Sequence, residues 1–177
     1  EWDKVFPKSD KVTHRKVSFR NRYGIMLAAD LYMPRNVNEK LPAIAVSGPF
    51  GAVKEQSAGL YAQTMAERGF LTIAFDPSYT GESGGFPRYV ASPDINTEDF
   101  CAAVDYLSTR DDVDSERIGI IGICGWGGMA VNAAAIDTRI KATVTSTMYD
   151  MSRVNANGYF DAMDADARYE LRKQLNA

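Results

Sequence analysis

The stretch Arg117-Ile-Gly-Ile-Ile-Gly-Ile-Cys-Gly-Trp-Gly-Gly-Met129 constrains this chain more than any other: an apolar run passes through closely spaced glycines into helix-like sequence. A turn taken directly from strand to helix strains the residue at its apex and brings two backbones together, so its neighbours must be small. Gly122 lies two residues before Cys124, and Gly125, Gly127 and Gly128 follow it. A thiol at such an apex stands near the positive end of the helix dipole, which favours thiolate. The adjacent N–H, that of Gly125, can point at an oxyanion developing on a substrate. The pattern makes Cys124 a nucleophile; the alternative is a buried structural thiol, since free cysteine packs like a small hydrophobe.

The flanking sequence supplies the elements such a turn needs. Residues 11–19 and 25–33 alternate polar and apolar side chains about a turn-like 21–24, predicting an antiparallel hairpin. Short continuous apolar runs at 43–46 and 70–75 read as strands buried on both faces. Between them, residues 54–68 place Ala58, Ala62, Met65 and Ala66 on one helical face, with Gly69 as a stop. The rhythm Phe100, Ala103, Val104, Leu107 predicts a second helix, 118–124 a strand, 129–136 a third helix and 140–147 a β-branched strand. Two antiparallel strands followed by βαβαβ predict a three-layer α/β/α sandwich with a mostly parallel, twisted sheet. After Met151 the pattern breaks at Asn155, Asn157 and Gly158, and 159–175 reads as one amphipathic helix with Phe160, Met163, Ala167 and Leu171 on one side.

Composition narrows the function classes. A chain of 177 residues, 45% hydrophobic, suits one domain with a substantial core. Its formal charge of −3 is spread without a basic stripe, which argues against a nucleic-acid partner. No apolar run approaches the roughly 20 residues needed to cross a bilayer. Cys101 and Cys124 are too few for a disulfide framework and lack metal-ligand spacing. Cys101, within an amphipathic helix, reads as packing. The cytoplasm is the expected compartment, with export the alternative, because the chain starts at Glu1 and not at a methionine.

Four segments in register carry a family resemblance. Ser47-Gly-Pro-Phe-Gly51 follows the third strand, and Lys54-Glu-Gln56 opens the helix after it. Asp76-Pro-Ser-Tyr-Thr-Gly-Glu-Ser83 follows the fourth strand, Asp114-Ser-Glu-Arg-Ile118 leads into the fifth, and the Cys124 turn follows. Together they resemble the α/β-hydrolase superfamily, most closely its dienelactone-hydrolase-like branch, where cysteine replaces the serine of G-x-S-x-G. The resemblance implies an oxyanion site formed by backbone N–H groups of Gly125 and of Phe50 or Gly51; Pro49 has no N–H. Asp76, Glu82 and Ser83 read as organisers of their own turn. One departure stands out: two residues after the nucleophile, where the family has a small residue, this chain has Trp126. Either Gly127 takes the small position, or the frame shifts to put Trp126 at the apex and the enzyme is dead. Counting from Arg117 favours Cys124. Trp126 is expected to line or plug the pocket, and Tyr79, Met148 and Tyr149 to face it from strand ends.

Nucleophilic hydrolysis also needs a base and an orienting acid. The sole histidine, His14, lies near the start of the chain, far ahead of the turn, and reads as a surface residue. The resemblance puts acid and histidine after later strands, so the fold is expected to be incomplete at its C-terminus. Residues 1–151 would form the N-terminal part of the core and 152–177 the start of a lid or cap. The missing parts would come from a C-terminal segment of the same protein or from a complementing chain. The expected activity is hydrolysis of a small carboxyl ester, lactone or thioester through an acyl-Cys124 intermediate, with no metal or organic cofactor. The alternatives are peptide or acyl-amino cleavage of the prolyl-oligopeptidase-like type, and a catalytically dead binding or scaffold module.

Overall fold

The computed structural model describes residues 2–177; Glu1, the first residue of the expected core, lies outside them. Strands β1 (Val12–Arg20) and β2 (Met26–Pro34) form the expected hairpin. They are followed by β3 (Leu41–Ser47), helix α1 (Ser57–Ala66), β4 (Leu71–Phe75), α2 (Pro93–Ser108), β5 (Val113–Ile123), α3 (Gly125–Ile136) and β6 (Ile140–Ser146). The six strands lie in the order β1-β2-β4-β3-β5-β6. β1, β2 and β4 pair antiparallel, while β4, β3, β5 and β6 run parallel.

The two faces of the sheet are read off alternate residues, as a period of two requires. Ala43, Ala45, Ile118 and Ile120 turn to the side covered by α2 and α3, where Phe100, Ala103, Val104 and Leu107 are fully buried. Ile44, Val46, Ile121 and Ile123 turn to the other side, under α1. There Ala58, Ala62 and Ala66, four residues apart, give α1 a flat face, and the Thr72 hydroxyl donates to the Ala62 carbonyl at 2.8 Å. The layered, mostly parallel architecture is thus the one the sequence predicts.

Two elements differ from expectation. Helix α1 starts three residues late because the Lys54 N–H donates to the Asp76 carboxylate at 2.7 Å, which holds the chain in a turn. The expected helix over 159–175 is two shorter pieces. α4 (Met151–Asn157) ends at Gly158, and one 3-10 turn covers Tyr159–Asp161 with Phe160 at positive φ and fully exposed. α5 (Ala165–Leu175) then starts from an Asp164 cap that accepts from the Ala167 N–H. Asp164 is a helix-starting residue, and a cap inside a periodic pattern divides it. No helix among the described residues is long and apolar enough to cross a membrane.

The α2 side carries the larger core, and Phe100 stands edge-on to Phe75 at 5.2 Å within it. Phe100→Ala should cost the intact protein about 3–5 kcal/mol of unfolding free energy. Denaturant titration checks this, and a loss below 1 kcal/mol would mean that α2 is not seated as described.

Candidate active site

β5 ends at Ile123 and α3 begins at Gly125, so the whole change of direction falls on Cys124, whose φ is +57° and ψ −128°. That conformation is strained for any residue with a Cβ and persists only where the surroundings enforce it. The Cys124 N–H donates to the Ser146 carbonyl at the end of β6 (2.8 Å), and the Cys124 carbonyl accepts from the Gly127 N–H (2.9 Å). A Cβ on Gly122 would collide with the Trp126 carbonyl oxygen and the Ala130 side chain, so only glycine lets α3 settle this close to the strand. The thiol is half-buried.

Trp126 is not at the apex. It sits in the first turn of α3, 2% exposed, and with Met129, Ala130 and Ala133 forms the stripe that faces the core. The expectation that it lines the pocket is therefore corrected: the i, i+3, i+4, i+7 spacing from Trp126 is a helical signal, and it carries the indole inward. Its Nε1 has no partner among the described residues.

The loop after β3 meets the turn from the other side. The Phe50 ring lies against Gly125, where a Cβ would clash with it, and stands edge-on to Trp126 at 4.6 Å. Among the described residues, the Phe50, Gly51 and Gly125 N–H groups have no protein acceptor. For Gly125 this is the ordinary state of a helix's first turn.

This loop is tied to the loop after β4 by a buried ion cluster. The Lys54 ammonium, with no exposed side-chain surface, contacts Glu55 at 2.6 Å, Glu82 at 2.8 Å and Asp76 at 3.0 Å. Asp76 also accepts from the Lys54 and Glu82 N–H groups, and the Ser83 hydroxyl donates to its carbonyl. Burial alone would push the Lys54 ammonium down, but the bonds to Glu55 and Glu82 and the charge of Asp76 outweigh it and hold it above the ordinary lysine range.

The strand-end residues separate. Met148 packs over Gly127 and lines a cavity of about 430 Å³ beside Gly125. Tyr149 lines the same cavity near Cys124, and slight burial together with the neighbouring sulfur raises its pKa. Tyr79 does not join them, since its ring packs on Gly85 within its own loop. Its φ is positive, within the turn expected over Asp76 to Ser83. A second cavity of about 500 Å³ lies on the α1 side of the sheet, among Met65, Phe70, Ile121 and Val144.

His14 also needs correcting. It lies within β1, accepts or donates a 2.9 Å bond with buried Asp30, and packs between Trp2 and Tyr32. β1 is four strands from β5, about 19 Å at the ~4.8 Å spacing of strands, far out of reach of Cys124. No group of three His, Cys, Asp or Glu side chains among the described residues is placed to hold a metal ion.

The family model described as X-Pro dipeptidyl-peptidase (S15 family) matches residues 23–174. An uncharacterized protein of Pseudomonas aeruginosa is 69% identical over 99% of this chain and 47% of its own length. The crystal structure of that Pseudomonas aeruginosa protein superposes with a TM-score of 0.96, covering 99% of this chain and 55% of the other. The protein YcjY of Escherichia coli K12 is 47% identical over 82% of this chain and 49% of its own length. The thiohydrolase aneE of Aspergillus aculeatus is 31% identical over 77% and 42%. The α/β hydrolase GrgF of Penicillium sp. shares the fold at 23% identity, with a TM-score of 0.71 over 89% of this chain and 55% of that one. The chain spans about half the length of the curated relatives it matches.

Two predictions rest on these contacts. Lys54→Met leaves buried Asp76 without its counter-ion and should cost about 3–5 kcal/mol, while adding Asp76→Asn should recover part of the loss. Equal stability of Lys54→Met and the parent in urea would refute the clamp. Burial pushes the Cys101 thiol up to about 11. Iodoacetamide at pH 7.5 should therefore add one carbamidomethyl group to the folded protein, on Cys124, and peptide mapping that found the label on Cys101 would contradict this arrangement.

Proposed function

The chain belongs to the X-Pro dipeptidyl-peptidase (S15) family of α/β-hydrolase-fold proteins, and from that premise we propose that it carries the nucleophile half of a hydrolase site. The bond cleaved is a carboxyl ester, lactone or thioester, in the manner of the dienelactone-hydrolase-like branch. The carrying observation is the strained backbone at Cys124 with the unbonded Gly125 N–H directly after it. The thiohydrolase name of the Aspergillus aculeatus relative supports thioesters within this range.

In the proposed reaction the Cys124 thiolate adds to the acyl carbon. The oxyanion accepts from the Gly125 N–H and from Phe50 or Gly51, each such donor contributing about 3 kcal/mol where its removal has been measured. Collapse breaks the bond to the leaving oxygen or sulfur, which takes up a proton, and leaves acyl-Cys124. Water, deprotonated by a general base, then releases the carboxylic acid and restores the thiol. His14 cannot be that base at its distance. We place the base and its orienting acid in a further segment, and residues 152–177 at the start of a lid. The apolar cavity over β5 and β6, the half-length match to relatives and the exposure of α4 and α5 support this. Two free thiols suit a cytoplasmic setting.

The family's printed description favours a second reading, cleavage of a peptide bond by the same residues. Amide and ester substrates assayed side by side separate the two. The third reading, a dead module plugged by Trp126, loses its support, because the indole belongs to the core.

In the intact protein, Cys124→Ala should lower kcat/KM for p-nitrophenyl esters or acyl thioesters by roughly 10⁴-fold or more. Mass spectrometry during turnover of a slow ester should show one acyl adduct on Cys124. Unchanged turnover in the variant would reject the nucleophile assignment.

A further inference from the structure

Four side chains of the 430 Å³ cavity beside the turn are apolar: Val131 and the flexible Met129, Met148 and Met151. Gly125, the residue after Cys124, and Tyr149 both line it. The cavity thus begins one residue from the thiol, and a carbonyl held at Cys124 and the Gly125 N–H can project one substituent into this space. No Lys or Arg lines it, and its one carboxylate, Asp150, caps α4 by accepting from the Arg153 N–H and the Ser152 hydroxyl.

Resting on the hydrolase reading above, we propose that this cavity is the acyl subsite and selects an uncharged, flexible aliphatic acyl group over one bearing a distal carboxylate. At about 30 Å³ per water-sized group, 430 Å³ has room for on the order of ten non-hydrogen atoms. Methionine walls adjust to irregular chains, which suits a range of lengths around a medium chain. A terminal carboxylate would find no cation there and would face Asp150.

The test uses the intact protein with p-nitrophenyl esters from acetyl to decanoyl, and with hexanoyl against its adipoyl monoester analogue. The parent should prefer hexanoyl over adipoyl by roughly tenfold or more in kcat/KM, a discrimination of the size one pocket contact supplies. Val131 is exposed on the outer face of α3, so Val131→Lys should fold normally. It should raise adipoyl turnover and lower the hexanoyl-to-adipoyl ratio by roughly two- to fivefold, the scale of one exposed charge pair. Asp150→Asn keeps a capping side chain and should narrow the same ratio. Met148→Ala should move the chain-length optimum upward. Equal use of both acyl groups by the parent, or an unchanged profile in all three variants, overturns the subsite while Cys124→Ala remains inactive. Activity surviving in Cys124→Ala overturns the hydrolase reading itself.

Discussion

How closely α3 is set down on the end of β5 governs the rest of the site. The room a side chain on Gly122 would need is taken by the Trp126 carbonyl and Ala130. This contact puts the first turn of a helix directly behind residue 124, forces that residue to positive φ, and carries Trp126 into the core. A non-glycine residue in such a backbone region costs on the order of 1–3 kcal/mol. The cost is offset locally by bonds from the Cys124 N–H to Ser146 and from the Gly127 N–H to Cys124, and by the buried stripe of Trp126, Met129, Ala130 and Ala133. Strain held this way is rigid, because relieving it would lift the stripe out of the sheet's packing.

The opposite wall depends on charge. A lysine ammonium with no exposed surface is expensive unless its donors are all used, and Lys54 has three carboxylates for its three protons. The result joins the loop after β3, which carries Phe50 and Gly51, to the loop after β4. Lys16 extends the cluster from Glu82 to Asp3, and Lys4 then bridges Asp3 to buried Asp30. The residues preceding β1 are thereby pinned to the same sheet edge. Buried Asp99 does similar work for the turn at Asn21, accepting from Asn21, Asn96 and the N–H and hydroxyl of Ser78. Burial raises its pKa, and four donors make its place tenable.

What the sequence revealed follows from which signals are periodic. Strands and helices buried along one face, such as Phe100 to Leu107 or Ile118 to Ile123, announce themselves, and the layered architecture followed from their order. The position of Cys124 was legible because glycines at 122 and 125 have few other reasons to flank a thiol. The direction of Trp126 is hidden from a reading against the motif and visible only from the helix it begins. The role of Lys54 had no sequence signal, since a lysine at a helix start reads as solvated, and its partners are 22 and 28 residues away. His14 was misplaced for the same reason: only the hairpin register, which sets it opposite Tyr32 and beside Asp30, shows where it is committed.

These placements also decide from which side proton transfer could come. The β3 side of Cys124 is closed by the Phe50 ring over Gly125, and α3 and the core close the region behind it. The remaining approach is along the end of β6, where Ser146, Met148 and Tyr149 are half-buried or exposed. Tyr149 lies on that side, at the wall of the cavity that Gly125 also lines. On the proposed reading, a histidine brought in by a further segment would meet Cys124 on the β6 side, beside Tyr149. The acyl group would then lie between that base and the methionine-lined cavity.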